Sequence, residues 1–129
     1  MTSADCRQRA GTAREHLTVA RERLLAAEAA PGPSEVAQVA ASNAVLAGIA
    51  AADAICGTAL GETSGEQDHR AAIAQLKRVA ASGPLVTKLT RLLADKTALQ
   101  YGGYCTHETA RRAVDQATVL VDALRSHHL

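Results

Sequence analysis

The chain has 129 residues, of which 47% are hydrophobic, 2% aromatic and 21% charged. Fourteen Lys and Arg against thirteen Asp and Glu leave a formal net charge of +1, which argues against a dedicated DNA- or RNA-binding module. Without Phe or Trp, the core has to be built from Ala, Leu, Val and Ile, and such a core suits closely packed helices. The length indicates a single domain over residues 1–129.

The cysteines and histidines predict no metal site. Cys6, Cys56 and Cys105 are far apart, and the chain has no Cys-x-x-Cys pair or Cys/His cluster, so we expect free thiols. The Glu-x-x-His pairs of di-iron bundles are also absent, and we expect no metal and no cofactor. The N-terminus lacks the pattern of a signal peptide, and no window of about 18 strongly apolar residues occurs. We therefore expect a cytoplasmic protein without a membrane partner.

Two long helices are predicted in the first half of the chain. Residues 3–30 carry apolar side chains at alternating intervals of three and four, and Pro31-Gly32-Pro33 ends this helix. Ser34 can cap the second helix, residues 34–60, which is nearly apolar all round and is predicted to be the central, most buried helix. Its larger apolar residues are Val36, Val39, Leu46, Ile49, Ile55 and Leu60.

Three shorter helices are predicted in the second half. Gly61 closes the second helix, and residues 62–67 form a polar loop before a third helix over 67–81. A fourth helix covers 84–99, with proline at its first position, and Thr106 can cap a fifth over 106–126. Five helical segments joined by short loops predict an all-α fold, an antiparallel up-and-down bundle of four to five helices.

Two charged residues in apolar surroundings are the first candidate site residues. Asp53 lies in an alanine-rich run, where an unpaired charge is costly to bury. It is either a structural carboxylate bonded to a Lys, Arg or Tyr, or a polar group lining a groove. Lys96 follows Leu92 and Leu93 by one turn, so its stem continues their apolar face. We expect Asp53 to pair with Lys96, with the Tyr101 hydroxyl nearby.

The second half of the chain resembles a known family. The residues Lys96-Thr97-Ala98-Leu99-Gln100-Tyr101-Gly102-Gly103-Tyr104, followed by Thr106-His107-Glu108-Thr109-Ala110-Arg111-Arg112-Ala113, resemble the HEPN domain (higher eukaryotes and prokaryotes nucleotide-binding). Residues 42–54 are similar to the small-residue-rich second helix of that family, and His69-Arg70-Ala71-Ala72 to the start of its short third helix. The resemblance spans roughly residues 12–124. It implies a helical bundle that dimerises through the region of its second and fourth helices.

The ribonuclease motif of that family is incomplete in this chain. Active HEPN ribonucleases share an Arg followed four to six residues later by a His. Here Lys96 stands at the Arg-like position, and Gln100 and Tyr101 stand where the His is expected. Lys is a poorer phosphate clamp than Arg, and Gln cannot move protons. The departure favours a non-catalytic protein over an enzyme.

The resemblance therefore implies a non-catalytic binding module that forms a homodimer. A nucleotide-bearing ligand, an RNA end or a protein partner would occupy a polar groove, although the charge of the chain does not support RNA or nucleotide binding. The predicted groove residues are Asp53, Lys96, Gln100, Tyr101 and Tyr104. The resemblance also implies association with a nucleotidyltransferase, or a place in a toxin–antitoxin or other defence pair.

Two alternatives stay open. The first is a divergent metal-independent endoribonuclease, with Lys96 stabilising phosphate charge and Tyr101, Tyr104 or His107 carrying the proton. The second is a purely structural protein-interaction bundle, in which every one of these features belongs to the core or to the solvated surface.

Overall fold

The computed structural model describes residues 1–62 and 69–129, without the side chains of Thr97, Gln100 and Tyr101. Its α-helices are α1 (Ser3–Ala27), α2 (Glu35–Leu60), α3 (His69–Lys77), α4 (Gly83–Ala94), α5 (Lys96–Tyr101) and α6 (His107–Asp122), followed by a 3-10 helix over Ala123–His127. The predicted all-α fold is confirmed, because the described residues contain no strand beyond one isolated bridge between Ser34 and Cys105. The predicted loop over 62–67, apart from Glu62, lies outside the described residues.

Side-chain caps define where three of the helices begin. The Thr2 Oγ1 atom accepts from the Asp5 backbone N–H at 3.1 Å, and the Asp5 carboxylate accepts from the Thr2 backbone N–H at 3.0 Å. This reciprocal capping box starts α1. The two caps predicted from the sequence are confirmed: Ser34 accepts from the Ala37 N–H at 3.0 Å, and Thr106 accepts from the Thr109 N–H at 3.2 Å.

Helix α2 forms the centre of the bundle, and α1, α6 and the shorter helices pack around it. Its alanines allow close approach, and Gly48 marks the tightest point. A methyl group built at Gly48 would lie 3.2 Å from Leu120 Cδ1 of α6 and well inside van der Waals contact with Leu92 Cδ2 of α4. The lack of a side chain at position 48 therefore lets these two leucines meet against the α2 backbone.

One side of α2 is open to solvent, although α2 is the most buried of the described helices, as predicted. Val39 and Leu46 are 38% and 37% exposed, whereas Val45 and Ile55 are fully buried. Helices α1, α5 and α6 contact α2 without enclosing it. Large apolar side chains consequently remain on its uncovered side.

The prediction of one continuous fourth helix over 84–99 is wrong. Helix α4 ends at Ala94, Asp95 has φ −104° and ψ 7°, and α5 begins at Lys96. Aspartate is a weak helix former in the interior of a helix, because its side chain competes for backbone hydrogen bonds. The break turns the chain so that α5 can lie against α2.

The short helix α5 is held on α2 through one carbonyl. The Leu99 carbonyl lies in the last turn of α5, where a helix leaves its carbonyls without intrahelical partners. It accepts a hydrogen bond from Ser42 Oγ at 3.0 Å and a second from Gln38 Nε2. Two polar side chains of an otherwise apolar helix therefore fix the position of α5.

Other helix ends differ from the predicted ones by a few residues. Helix α1 ends at Ala27 rather than at residue 30, and α3 ends at Lys77 rather than at 81. Ala81 has a positive φ of 58°, a left-handed conformation that stops a helix. Helix α6 passes into the tighter 3-10 helix after Asp122.

Candidate functional site

The carboxylate of Asp53 is paired with an arginine of α1. Arg9 donates to Asp53 Oδ2 from Nη2 at 3.0 Å and from Nε at 3.3 Å. The predicted Asp53–Lys96 pair is therefore wrong, and the alternative expectation, a structural carboxylate bonded to an arginine, describes the contact. Burial raises the pKa of Asp53 above its ordinary value, and the hydrogen bond from Arg9 opposes this rise.

The distance along α2 explains why Asp53 and Lys96 do not meet. Helix α5 is bound to α2 at Gln38 and Ser42, and Asp53 lies eleven residues beyond Ser42. At about 1.5 Å per residue, that separation is roughly 16 Å along the helix axis. Among the described residues, Lys96 makes no ion pair.

The sequence did carry a signal for Arg9, which the prediction missed. Arg9 follows the buried Cys6 by three residues and precedes the buried Ala13 by four, so it lies at the edge of the core-facing stripe of α1. A charged residue in such a position can reach a buried carboxylate on the neighbouring helix. Periodicity alone could not tell which arginine of α1 does so.

The predicted five-residue groove is not assembled around Asp53. Tyr104 is 63% exposed in the segment after α5, and the side chains of Gln100 and Tyr101 lie outside the described residues. Lys96 is the first residue of α5 and Tyr104 follows that helix, whose Leu99 carbonyl is bound roughly 16 Å from Asp53 along α2. The part of the groove on and after α5 stays a prediction.

His107 lies at a junction between two loops. Its backbone N–H donates to the Pro31 carbonyl at 3.2 Å, and the Ser34 N–H donates to the Cys105 carbonyl at 3.2 Å. These bonds join the α1–α2 turn to the segment before α6. Within the described residues, the Nε2 atom of His107 is buried without a hydrogen-bond partner, so no neighbouring side chain there exchanges a proton with it.

The thiols are poorly suited to nucleophilic chemistry. Cys6 and Cys56 are buried, and Cys105 is half-buried. Burial raises the pKa of Cys56 to about 11, and the nearby carboxylate of Asp53 adds to the rise. Burial also raises the pKa of Cys105. A reactive cysteine requires the opposite, a lowered pKa in an electropositive site.

A cavity of about 350 Å³ opens between the end of α4, α5 and the first turns of α6. Its charged lining residues are Arg91, Asp95 and Arg112. A smaller cavity, about 250 Å³, lies where the two chain termini meet, with Cys6 and His127 in its lining. Within residues 1–62 and 69–129, no three His, Cys, Asp or Glu side chains are grouped to hold a metal ion.

Apolar side chains form a second surface of interest, which we call the α1/α2 face. It consists of Val19 on α1 and Val39, Leu46 and Ile49 on α2. Val19, Val39 and Leu46 are each more than a third exposed, and Ile49 is half-buried. The α2 members recur at intervals of seven and three, so they share one side of the helix.

Comparison with known proteins gives no relative. No protein-family model, curated protein or solved structure matches the chain.

Helix α2 is the one helix of the described residues that is long and apolar enough to cross a membrane. In the bundle, 67% of its most apolar stretch is buried. The core helix of a soluble protein has the same length and composition, so these properties alone do not indicate a membrane span.

Proposed function

We propose that the chain is a non-catalytic, HEPN-like helical binding module that works as a homodimer in the cytoplasm. The observation that carries the proposal is the α1/α2 face, because large apolar side chains stand exposed in a line on the central helix. A surface of this kind is typical of an interaction site rather than of a monomer in water. The resemblance to HEPN domains implies a dimer through the region of the second and fourth helices, and the α1/α2 face includes the second of these.

The helices of the proposed module form an antiparallel up-and-down bundle. Two contacts between α1 and α2 support this topology: Arg9 reaches Asp53, and His16 Nδ1 lies 3.2 Å from Asn43 Oδ1. Residue numbers rise along α1 as they fall along α2, which brings Val19 to the level of Val39. The two helices thus contribute neighbouring apolar side chains to one face.

We propose a protein without catalytic activity because of the surroundings of two candidate groups, Asp53 and Cys56. Asp53 is held by Arg9, so it does not offer a free carboxylate, and the pKa of Cys56 is raised to about 11, so it does not offer a reactive thiolate. Association with a nucleotidyltransferase or with a defence pair rests on the HEPN resemblance alone.

The oligomeric state in solution tests the proposal. We expect light scattering after size exclusion to give twice the chain mass for the wild type, and the single chain mass for Leu46→Glu. A charge at position 46 would be buried without a partner in a dimer, but would face water in a monomer. Leu25→Glu is the matched control, because Leu25 is 67% exposed on α1 and lies outside the α1/α2 face.

Each possible result of this experiment leads to a different conclusion. A dimeric wild type, a dimeric Leu25→Glu variant and a monomeric Leu46→Glu variant with unchanged circular dichroism support the proposal. A wild type that stays monomeric at the highest concentrations measured overturns the homodimer. A dimer that persists with Glu at position 46 overturns the assignment of the interface to the α1/α2 face.

A further inference from the structure

The groove between α4 and α6 is lined by two arginines that make no ion pair with the described residues. Arg91, near the end of α4, and Arg112, in the second turn of α6, both line it. Neither makes an ion pair in the part of the chain that the structure describes. Their neighbour Arg111 differs sharply, since it contacts Glu108 at 2.6 Å and Asp115 at 2.6 Å outside the groove.

Neutral hydrogen-bonding groups complete the lining. The Thr109 hydroxyl and the Gln116 amide share the groove with the two arginines. The Arg112 Nη2 atom lies 3.5 Å from Thr109 Oγ1, a distance too long for a strong bond. The guanidinium group is therefore still available to an incoming acceptor. Arg91, Arg112, Thr109 and Gln116 together supply more donors than the two oxygens of one carboxylate need.

A phosphate group fits this arrangement better than a carboxylate does. Its three terminal oxygens accept several charge-assisted hydrogen bonds, and guanidinium groups match its geometry in bidentate fashion. The volume of the groove, about 350 Å³, lies within the range of small-molecule sites. The apolar part of the lining, which includes Leu99 and Ala113, can contact the carbon skeleton of the ligand.

We propose that the groove between α4 and α6 binds a small molecule through its phosphate group, which Arg91 and Arg112 hold. This inference names a ligand class for the binding module proposed above and so rests on that proposal. The groove is lined by α4, α5 and α6 and not by the residues of the α1/α2 face. The proposal of a homodimer and the proposal of phosphate binding can therefore be tested independently.

Asp95 sets a limit on the affinity and offers a second test. Its carboxylate lines the same groove and makes no ion pair with either arginine in the described structure. The three charges leave one net positive charge in the groove. Removing the carboxylate raises that charge by one, so Asp95→Asn should bind phosphate more tightly. An unchanged affinity in Asp95→Asn would contradict the placement of the phosphate in this groove.

The experiment measures the binding of inorganic phosphate at low ionic strength, both by calorimetry and by the change in melting temperature. Sodium chloride and sodium acetate at matched ionic strength serve as reference anions. We expect Arg91→Gln and Arg112→Gln each to weaken binding several-fold, and the double variant to abolish it. The matched control is Arg111→Gln, which removes the same charge one residue away and outside the groove. It should bind like the wild type.

Several results would overturn the assignment. Equal weakening by Arg111→Gln would show that phosphate responds to net charge alone, and undiminished binding in the double variant would place the anion elsewhere. An equal response to acetate would remove the preference for phosphate. Repeating the titration on Leu46→Glu separates the two proposals, because a monomer that still binds phosphate retains the groove without the dimer.

Discussion

The close packing around Gly48 gives the sharpest prediction for the fold. Replacing Gly48 by Ala introduces a methyl group that meets Leu92 Cδ2 well inside van der Waals contact and Leu120 Cδ1 at 3.2 Å. Both leucines are fully buried, so neither side chain can turn towards solvent to make room. The substitution therefore has to shift α4 or α6 relative to α2, or force Leu92 out of its preferred rotamer.

Two opposing effects determine how much Gly48→Ala changes the free energy of unfolding. Alanine is favoured over glycine in the middle of a helix by about 1 kcal/mol, and overpacking a filled core costs about 1–3 kcal/mol. Since two fully buried leucines must give way, the cost should lie in the upper part of that range. The net loss in the free energy of unfolding should be about 1–2 kcal/mol. For a domain of this size, we expect the melting temperature to fall by roughly 3–8 °C.

The matched control makes the same change where the space is open. Gly11 lies in α1, and a methyl group built there meets nothing within 4 Å. Gly11→Ala should therefore show the helix-propensity gain alone and raise the free energy of unfolding by up to about 1 kcal/mol. Urea titration followed by circular dichroism measures both variants. If Gly48→Ala is as stable as Gly11→Ala, the close contact of Leu92 with the α2 backbone is refuted.

Three further substitutions or modifications test the local chemistry. Asp53→Asn should be at least as stable as the wild type at pH 7, because burial raises the pKa of Asp53 despite the hydrogen bond from Arg9. Ellman's reagent at pH 8 should reach Cys105 first and Cys56 only on unfolding, since a pKa of about 11 leaves roughly one Cys56 thiol in a thousand ionised. Ala81→Gly should raise the free energy of unfolding by about 0.5–1 kcal/mol, because φ at Ala81 is 58° and glycine adopts this conformation without strain.

The pH dependence of the Asp53 variant has a definite sign. A carboxyl whose pKa is raised in the folded state stabilises the fold below its unfolded pKa, about 3.9, and that contribution is lost as the pH rises through the folded pKa. The advantage of Asp53→Asn should therefore shrink as the pH falls through the raised pKa of folded Asp53 towards about 4, and should change no further below that pH. An advantage that grows on acidification would mean that the Arg9 pair outweighs burial. Rapid labelling of Cys56 in the folded protein, or a loss of stability in Ala81→Gly, would contradict the other two predictions.

Local signals in the sequence were enough to predict where α2 and α6 begin. Ser34 and Thr106 cap their helices as predicted, since an N-cap depends only on a hydroxyl and a backbone N–H three residues away. The break at Asp95 could not be predicted in this way. It leaves the Leu99 carbonyl accepting from Gln38 and Ser42, about sixty residues earlier in the chain. Only the packed structure brings these groups together.

The error over Asp53 has the same origin and shows where a site can be sought in this bundle. Asp53, a charged residue on a largely apolar helix, was predicted as a site residue, yet it contacts α1, as Asn43 does, while Gln38 and Ser42 bind α5. These bonds specify how the helices pack, and the Arg9 pair leaves Asp53 engaged within the bundle.

The groups left for recognition are those that tertiary structure does not pair. Arg111 and Arg112 are adjacent in the sequence and identical in chemistry, but the first contacts two carboxylates and the second lines a groove and makes no ion pair among the described residues. Helical geometry places consecutive residues about 100° apart, which is enough to put one arginine among acidic neighbours and the other against α4. That difference, rather than the number of basic residues in the chain, makes phosphate binding between α4 and α6 a specific expectation.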